Sequence, residues 1–377
     1  MKPDCDLFCR VVDNYGDIGV CWRLTKCLRD EGLAVRLWVD DLDSFARLCP
    51  ELDPTQEQQV FRDVEVRHWQ PAFPSVEPAG LVIEAFDCKL PPGFLGAMAE
   101  LAKPPVWINL EYLSAEGWVE GCHGMPSPHP TLPLTRRFFF PGFTPKTGGL
   151  LLERGLPERR DAFQQDAQSI ARFWGSLGLP APQPGELRIS LFGYENPAVS
   201  ELLRAWSQGT QPVTCLIPQG RILPQVAGFF GCSDAAPGRC WRQGSLQAYV
   251  LPFVEQERYD HLLWACDVNF VRGEDSCVRA QWAAKPFVWH IYPQHDGVHM
   301  QKLQALGQRY GAGMPVDAAR ANASLWQAWN GEGDIRLAWA GFIAQQDAIK
   351  ARARNWADEL SGNNLALNLL AFYRRFA

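Results

Sequence analysis

The 377-residue sequence lacks the features that would assign it to a membrane or to general nucleic-acid binding. It has no run of about 18 apolar residues, so we expect no transmembrane helix. Its first residues, MKPDCD, do not form the apolar core of a signal peptide, and we expect a cytoplasmic protein. With 36 Lys and Arg against 42 Asp and Glu, the net charge is −6. General nucleic-acid binders normally carry a basic excess instead.

Motifs for metals and disulfides are missing as well. The chain has 12 cysteines but no CxxC pair, and several lie in apolar patterns, where a free thiol behaves as a small hydrophobe. We therefore expect reduced, structural cysteines. The histidine pairs His123 with His129 and His295 with His299 have no third ligand nearby, so no zinc site is predicted.

Short apolar strands alternate with helical patterns in two series. In the first half, strands are predicted at 5–12, 34–40, 64–69, 80–86 and 105–110, with helices at 18–31 and 91–102. A second series begins at "RISLFGY", after the proline-rich stretch 178–187. Because this alternation implies right-handed βαβ crossovers and parallel sheets, the predicted fold class is α/β. We expect two Rossmann-like domains facing a central cleft, with ligands at the carboxyl ends of both sheets.

The chain is about twice as long as a typical domain, which favours a division into two. We predict an N-terminal Rossmann-like domain over 1–180 and a C-terminal one over 185–361. A helix is predicted at 362–377, and its last residues would equally suit a free cap. The proline-rich segment 125–149 is predicted to be an irregular surface loop or flap.

In the second domain, a predicted strand ends at Arg272 and is followed by the tight turn Gly273-Glu274-Asp275-Ser276 and a helix. Asp275 or Ser276 is the expected N-cap. A guanidinium beside free helix N–H groups is a good diphosphate site, and Glu274 is placed to accept hydrogen bonds from sugar hydroxyls. The same residues would equally suit a solvated ion-pair cluster that caps the helix.

Aromatic residues follow other predicted strands of this domain at their carboxyl ends. Phe192 and Tyr194 close its first strand, and Phe253 ends another. Each aromatic by itself is more typical of a core. Three loops meeting at one sheet edge nevertheless favour a nucleotide-sugar pocket, in which an aromatic face stacks on the base.

The first strand-to-helix turn, Asp13-Asn14-Tyr15-Gly16-Asp17-Ile18-Gly19, has the wrong charge for a phosphate. A glycine-containing turn at a helix start usually cradles phosphate, but Asp13 and Asp17 would repel it. One interpretation is purely structural, with Asp17 as a partner of the helix dipole and Asp13 as a turn former. The other is that the turn binds a cation.

Four stretches of the chain carry a family resemblance: "VVDNYGDIGVCWRL", "LFGYENPA", "LPFVEQERYDHLLWACDVNFVRGEDSCVRAQWAAKPFVWHIYPQ" and "HMQKL". They resemble the EarP family of protein-arginine rhamnosyltransferases, which modify elongation factor P. The resemblance covers essentially the whole chain. It implies a GT-B fold, with acceptor binding by 1–180 and nucleotide-sugar binding by 185–361. It also implies that the C-terminal helix at 362–377 packs on the N-terminal domain. It also implies inverting transfer of rhamnose from dTDP-β-L-rhamnose to one arginine of elongation factor P, activating that factor for rescue of polyproline-stalled ribosomes.

The resemblance implies roles for individual residues. Asp17 matches the family's general base, Asp13 the second carboxylate of the same loop, and Glu274 the essential glutamate of the donor domain. The family's donor-binding positions are matched by a further set: Asn14, Tyr15, Gly16, Phe192, Tyr194, Phe253, Gln256, Arg272, Gly273, Asp275 and Ser276. Phe192 and Phe253 are the expected partners of the thymine ring.

These roles account for the negative turn. An arginine guanidinium has a pKa above about 12, so it arrives charged and is a poor nucleophile until carboxylates orient it and withdraw its proton. We predict a single displacement in which Asp17 acts on the acceptor nitrogen and Arg272 stabilises the leaving dTDP. No metal or other cofactor is expected. "VDDLD" at 39–43 lies in the other domain and is predicted to be an exposed loop.

On the residues alone, two alternatives stay open: another GT-B nucleotide-sugar transferase or an epimerase, and a non-catalytic nucleotide-sugar-binding protein. The expected partners are elongation factor P and dTDP-β-L-rhamnose, with no membrane and no direct nucleic acid. Candidate contacts with the acceptor protein are the segment 125–149 and its basic pair Arg136-Arg137.

Overall fold

The computed structural model describes residues 2–13, 15–293 and 297–377. The chain divides into two α/β units: one runs to Arg154 and resumes at Leu360, and the other spans Gly155–Glu359. Each contains a largely parallel sheet with helices, which confirms the predicted fold class. Among the described helices, none combines the length and apolar character needed to cross a membrane.

The first unit is built from short strands connected by helices. Its elements are β1 (Cys5–Cys9), α1 (Gly16–Asp30), β2 (Val35–Val39), α2 (Leu42–Leu48), β3 (Gln58–Phe61), β4 (Val64–His68), β5 (Leu81–Ala85), α3 (Pro92–Glu100), β6 (Val106–Leu110), α4 (Val119–Cys122), β7 (Pro126–Pro128) and β8 (Thr135–Phe139). The sheet order is β3-β4-β2-β1-β5-β6-β8-β7, parallel except for the antiparallel edge pairs β3/β4 and β7/β8. β1, at the centre, is buried along its whole length, as expected of a strand covered on both faces.

Successive residues of β1 enter different cores, because side chains alternate across a sheet. Leu7 belongs to the core that includes α1, whereas Phe8 stacks on Trp38 and meets the edge of Trp69 in the opposite core. The central strand is thereby fixed on both sides. Its carboxyl end, where the 13–19 turn begins, is held in a defined place.

The segment 125–149 contains β7 and β8, so its prediction as an irregular loop was wrong. The two prolines of β7 lie in an edge strand, where a missing N–H removes no ladder hydrogen bond. β8 pairs with β6, with Arg136 opposite Trp107. Arg136 lies over the Trp107 ring and forms an ion pair with Asp87 at 2.7 Å, while Arg137 lies over the ring of Phe376. Both arginines are therefore strand residues with partners in this unit.

The second unit opens with a helix pair and continues as a Rossmann-like alternation. Its elements are α5 (Leu156–Gln165), α6 (Ala167–Ser176), β9 (Leu187–Leu191), α7 (Val199–Gln208), β10 (Val213–Ile217), α8 (Leu223–Phe229), β11 (Cys240–Gln243), β12 (Leu246–Val250), α9 (Gln256–Ala265), β13 (Val268–Arg272), α10 (Asp275–Trp282), β14 (Phe287–His290), α11 (Val298–Gly311), α12 (Val316–Trp329), α13 (Ile335–Ala344) and α14 (Gln346–Leu360). The sheet order is β11-β12-β10-β9-β13-β14, parallel except for the antiparallel pair β11/β12.

The division between the units differs from the predicted boundary near 180. Residues 155–180 belong to the second unit because α5 packs on α9. The Phe163 ring lies 4.9 Å from that of His261, and Gln164 Nε2 donates to the carbonyls of Trp264 (3.2 Å) and Ala283 (2.9 Å). The proline-rich stretch 178–187 therefore connects α6 to β9 inside one unit.

The last helix, α15 (Leu365–Tyr373), lies in the first unit. Its residues Leu365 and Leu369 are buried in the core that α1 also lines. The side chain of Asn364 caps the helix and donates to Leu152 O at 2.7 Å. The chain thus returns to the first unit to complete that core.

Asp6, in the central strand, is a buried carboxylate whose hydrogen-bond donors lie in β2 and just before β5. It accepts hydrogen bonds from Arg36 Nη2 (2.8 Å), Trp38 Nε1 (2.9 Å) and the backbone N–H of Ala79 (2.8 Å). Arg36 is likewise almost fully buried. A buried ion pair contributes little net stability, but removal of one partner leaves the other charge without compensation.

We therefore expect Asp6→Ala to lower the free energy of unfolding by roughly 3–5 kcal/mol. Urea unfolding followed by tryptophan fluorescence measures this. Lys2→Ala is the control, because the exposed ion pair of Lys2 with Glu77 should contribute little. Equal stability of Asp6→Ala and the wild type would show that the network does not hold the sheet.

Candidate active site

The turn between β1 and α1 is organised around Asp17, in the first turn of the helix. Its side chain is buried, with the residue 3% exposed. Oδ2 accepts the backbone N–H groups of Val12 (2.8 Å) and Asp13 (2.9 Å). One carboxylate oxygen therefore holds the loop closed, which the sequence did not predict. The helix start also favours the negative charge of Asp17, as the structural interpretation expected.

The other oxygen of Asp17 faces a different element. Oδ1 lies 3.4 Å from the hydroxyl of Tyr112, which follows β6, and the tyrosine is 39% exposed. The two oxygens of Asp17 thus have separate tasks. Oδ2 is committed to the loop, and Oδ1 lies beside an exposed ring at the carboxyl edge of the sheet.

Burial raises the pKa of Asp17, and the neighbouring Asp13 carboxylate raises it further. The hydrogen bonds from Asp13 and Val12 N–H groups and from the Tyr112 hydroxyl act in the opposite direction without cancelling the rise. A carboxylate with a raised pKa is a stronger base than an exposed one, which is typical of catalytic carboxylates.

The remaining residues of the turn lie close to these carboxylates. Asp13 is half-buried, and its carbonyl accepts the N–H of Gly16 at 2.7 Å. A Cβ on residue 16 would lie 3.3 Å from Asp13 Oδ2, so glycine permits this close approach. Tyr15 precedes α1, and its hydroxyl accepts from Arg47 at 3.0 Å. Asn14, a predicted donor-binding residue, lies outside the described residues.

The segment 39–43, predicted to be an exposed loop, is half-buried and supports the turn. Asp40 Oδ1 accepts the N–H of Val11 at 2.8 Å, and Asp41 caps α2 by accepting from Ser44 N–H at 2.9 Å. The prediction was wrong because Val39 ends β2 and Leu42 begins α2, and because Asp40 binds a backbone N–H group that lies 29 residues away along the chain. The Asp40 bond therefore holds the chain at Val11, just before the 13–19 turn.

In the second unit, Arg272 lies between two aromatic rings. Its guanidinium carbon is 4.7 Å from the ring centroid of Phe192 and 4.7 Å from that of Tyr194, and the residue is 6% exposed. Cation–π contacts on both rings hold the guanidinium in one orientation. The structure thereby brings together three of the predicted donor-binding residues at the carboxyl ends of β9 and β13.

The turn after Arg272 differs in detail from the prediction. The N-cap position of α10 is occupied by Glu274 rather than by Asp275 or Ser276. The Ser276 hydroxyl instead bonds back to the strand end, accepting from Arg272 N–H at 3.0 Å and donating to Arg272 O. Gly273, with φ of 60°, makes the left-handed turn that glycine permits. Glu274 and Asp275 are both half-buried at the helix start.

Phe253 and Gln256 lie at the same edge of this sheet. Phe253 follows β12 and is 36% exposed, whereas Gln256 is the buried first residue of α9. In the sheet order β12 is separated from β9 by β10, so the strand preceding Phe253 is about 10 Å from the strand preceding Phe192. An elongated ligand could contact both aromatics along this edge.

Sequence reasoning missed residues whose partners lie far along the chain. Tyr112 is one of them. Another is the buried pair Arg279 and Asp260, which joins α10 to α9 at 2.7 Å. His290 ends β14 directly opposite Arg272; burial, reinforced by the Arg272 charge, lowers its pKa to about 4.

Comparison with known proteins defines the class first. The fold is that of the GT-B glycosyltransferases, and a glycosyltransferase from Rickettsia africae matches over 100% of this chain and 98% of its own, with a TM-score of 0.52 at 10% identity. The chain belongs to the EarP family, because the family model "Elongation-Factor P (EF-P) rhamnosyltransferase EarP" matches residues 5–374. The protein is therefore a glycosyltransferase, and the resemblance predicted from the four motifs is confirmed.

Individual members of the family are similar along their full length. The protein-arginine rhamnosyltransferase of Pseudomonas putida is 49% identical over 99% of both chains. A solved structure described as "Structural basis for EarP-mediated arginine glycosylation of translation elongation factor EF-P" matches 99% of both chains with a TM-score of 0.72 at 36% identity.

Because burial favours the neutral acid, the folded protein should bind a proton at Asp17 more tightly than the unfolded chain does. We expect the Asp17 carboxyl carbon to titrate above the usual range of aspartate in ¹³C NMR, with Asp17→Asn providing the assignment. Asp53 is the internal control, since hydrogen bonds from Thr55 lower its pKa. A measured pKa of Asp17 at or below that of Asp53 would contradict this electrostatic description.

Proposed function

We propose that this protein transfers L-rhamnose from dTDP-β-L-rhamnose to an arginine side chain of translation elongation factor P, with inversion at the anomeric carbon. The observation that carries the proposal is the buried Asp17, with one oxygen held by the loop and the other beside an exposed tyrosine. The names of the similar proteins support both the sugar and the acceptor.

The acceptor must lose a proton to become a nucleophile. A guanidinium is charged at every physiological pH and its nitrogens are poor nucleophiles in that form. Asp17 Oδ1 accepts the proton as the new carbon–nitrogen bond forms, and the nearby Asp13 carboxylate helps to neutralise the incoming cation. The raised pKa of Asp17 improves the driving force for this proton transfer.

The donor requires positive charge, which the second unit supplies. The Arg272 guanidinium, held by Phe192 and Tyr194, faces a diphosphate together with the N–H groups at the start of α10. Phe192 and Phe253 provide faces for the thymine ring, while Gln256 lies at the start of α9. Glu274 and Asp275, at the start of α10, accept hydrogen bonds from sugar hydroxyls.

The reaction is a single displacement. The acceptor nitrogen attacks the anomeric carbon from the face opposite the diphosphate, so the β-linked donor gives an α-linked product. The bond between that carbon and the diphosphate oxygen breaks, and dTDP leaves with its charge stabilised by Arg272 and α10. The proton ends on Asp17. We propose that these groups remove the need for a metal or another cofactor, and that the modification activates elongation factor P in the cytoplasm for rescue of polyproline-stalled ribosomes.

We expect elongation factor P to gain the mass of one deoxyhexose on a single arginine after incubation with this protein and dTDP-β-L-rhamnose. Intact mass and peptide mapping detect the gain, and NMR of the product reports the anomeric configuration. Asp17→Asn should lower the rate by roughly 10²–10⁴-fold, the usual contribution of a general base.

Asp53→Asn is the matched control for this experiment, since Asp53 is an aspartate of the same unit that bonds to its local turn. A β-linked product would contradict inversion. Modification at the wild-type rate by Asp17→Asn would remove the base from the mechanism. A gain with UDP- or GDP-rhamnose equal to that with the dTDP sugar would contradict the assigned donor.

Arg272→Met should weaken dTDP binding by about 10–100-fold, because charge-assisted hydrogen bonds to the diphosphate are lost. Calorimetric titration with dTDP measures this, with Arg336→Met in α13 as the control. Treatment of the wild type with EDTA should leave the rate unchanged. Loss of activity on chelation, restored by a divalent cation, would contradict the metal-free mechanism.

A further inference from the structure

Two aromatic residues of the first unit form a stacked pair beside Asp17. Phe86 follows β5 and Tyr112 follows β6, and these strands are parallel neighbours. The ring centroids are 4.4 Å apart and the ring planes differ by 13°. Phe86 covers one face of the tyrosine, which nevertheless stays 39% exposed, and the hydroxyl on its edge lies 3.4 Å from Asp17 Oδ1.

The backbone that carries Phe86 has an unusual conformation. Phe86, Asp87 and Lys89 have φ values of 56°, 55° and 61°, the left-handed region that non-glycine residues rarely adopt. Such strain persists only where the surrounding structure imposes it, and it concentrates at functional sites. We therefore expect this strained turn to hold a functional side chain in place.

Several side chains hold this turn in place without touching Asp17. The buried Glu84 accepts the N–H of Lys89 at 2.9 Å, and Asn109 Oδ1 accepts the N–H of Asp87 at 3.2 Å. Arg136 binds the Asp87 carboxylate at 2.7 Å. The Phe86 N–H itself donates to Leu110 O at 2.7 Å. These bonds hold the Phe86 ring against the Tyr112 ring.

We infer that the Phe86–Tyr112 stack is the wall on which the acceptor guanidinium lies flat, and that it selects arginine over lysine. This rests on the proposed function. A planar guanidinium stacks on an aromatic face, whereas an ammonium group is a compact point charge with no plane to match. A group resting on the tyrosine face lies beside the hydroxyl edge, and hence beside Asp17 Oδ1. Tyr112 is thus a positioning residue for both the acceptor and the base.

The pair makes two separable contributions, so substitutions can distinguish them. Tyr112→Leu removes the flat face and the hydroxyl, and Phe86→Leu removes the support beneath the face. Both should raise the KM for elongation factor P by about 5–30-fold, the range of a desolvated cation–π contact, with the KM for the donor unchanged. Tyr112→Phe keeps the face, so it should keep the acceptor KM within about twofold and lower kcat.

Phe376→Leu is the matched control, because Phe376 is an exposed aromatic of the same unit whose ring already carries Arg137 at 3.8 Å. It should leave both KM values unchanged. A second readout does not depend on the acceptor protein: saturation-transfer NMR with agmatine, which bears a guanidinium, and with cadaverine, which bears only amines. Agmatine should bind more strongly than cadaverine, and Tyr112→Leu should abolish the difference.

The outcomes separate this inference from the proposed function. A wild-type protein that does not modify elongation factor P contradicts the proposed function. In that case the difference in binding between agmatine and cadaverine still tests whether the Phe86–Tyr112 stack binds a guanidinium. Modification by the wild type with an unchanged acceptor KM in Tyr112→Leu contradicts the stack alone. If Phe86→Leu does not fold, the two Tyr112 variants decide. Equal binding of agmatine and cadaverine overturns the inference.

Discussion

The geometry of the first unit's site depends on the hydrogen bonds between Asp17 Oδ2 and the N–H groups of Val12 and Asp13. They close the turn onto the helix start and bury the carboxylate, and burial raises its pKa. The same bonds leave Oδ1 directed at Tyr112. A structural interpretation of Asp17 and a catalytic one are therefore compatible, since the oxygen that holds the loop also orients the oxygen that can accept a proton.

The two units use opposite charges at the same place in the same fold. In both, the candidate residues follow parallel strands at their carboxyl ends, where α/β sheets bind ligands. The first unit places Asp13 and Asp17 there, which suits a cation. The second unit places Arg272 there, held between Phe192 and Tyr194, which suits an anion. This contrast is what a transferase needs if it joins a cationic acceptor to an anionic donor.

Local patterns predicted the alternating strands and helices because each buried strand is a short apolar run between turn signals. β6, predicted at 105–110, is found at Val106–Leu110. Prolines gave two wrong predictions. At 125–149 they predicted an irregular loop but lie in an edge strand, and at 178–187 they predicted a domain boundary but connect two elements of one unit. The sequence indicated Asp17 and Arg272 as site residues because both lie at predicted strand-to-helix turns. It did not indicate Tyr112 and Phe86, because their stacking depends on the pairing of β5 with β6 and on a strained turn, neither of which leaves a local pattern.

The most direct test of Asp17 as the base is the pH dependence of kcat/KM for rhamnosylation of elongation factor P. Only the ionised carboxylate accepts a proton, so kcat/KM should fall tenfold per pH unit below the pKa of Asp17. The Asp13 carboxylate lies in the same turn, and its negative charge moves the acid limb of the pH profile to higher pH. We expect an acid limb above the usual range of aspartate, absent from the residual activity of Asp17→Asn. A limb at or below that range, or the same limb in the variant, would contradict the assignment.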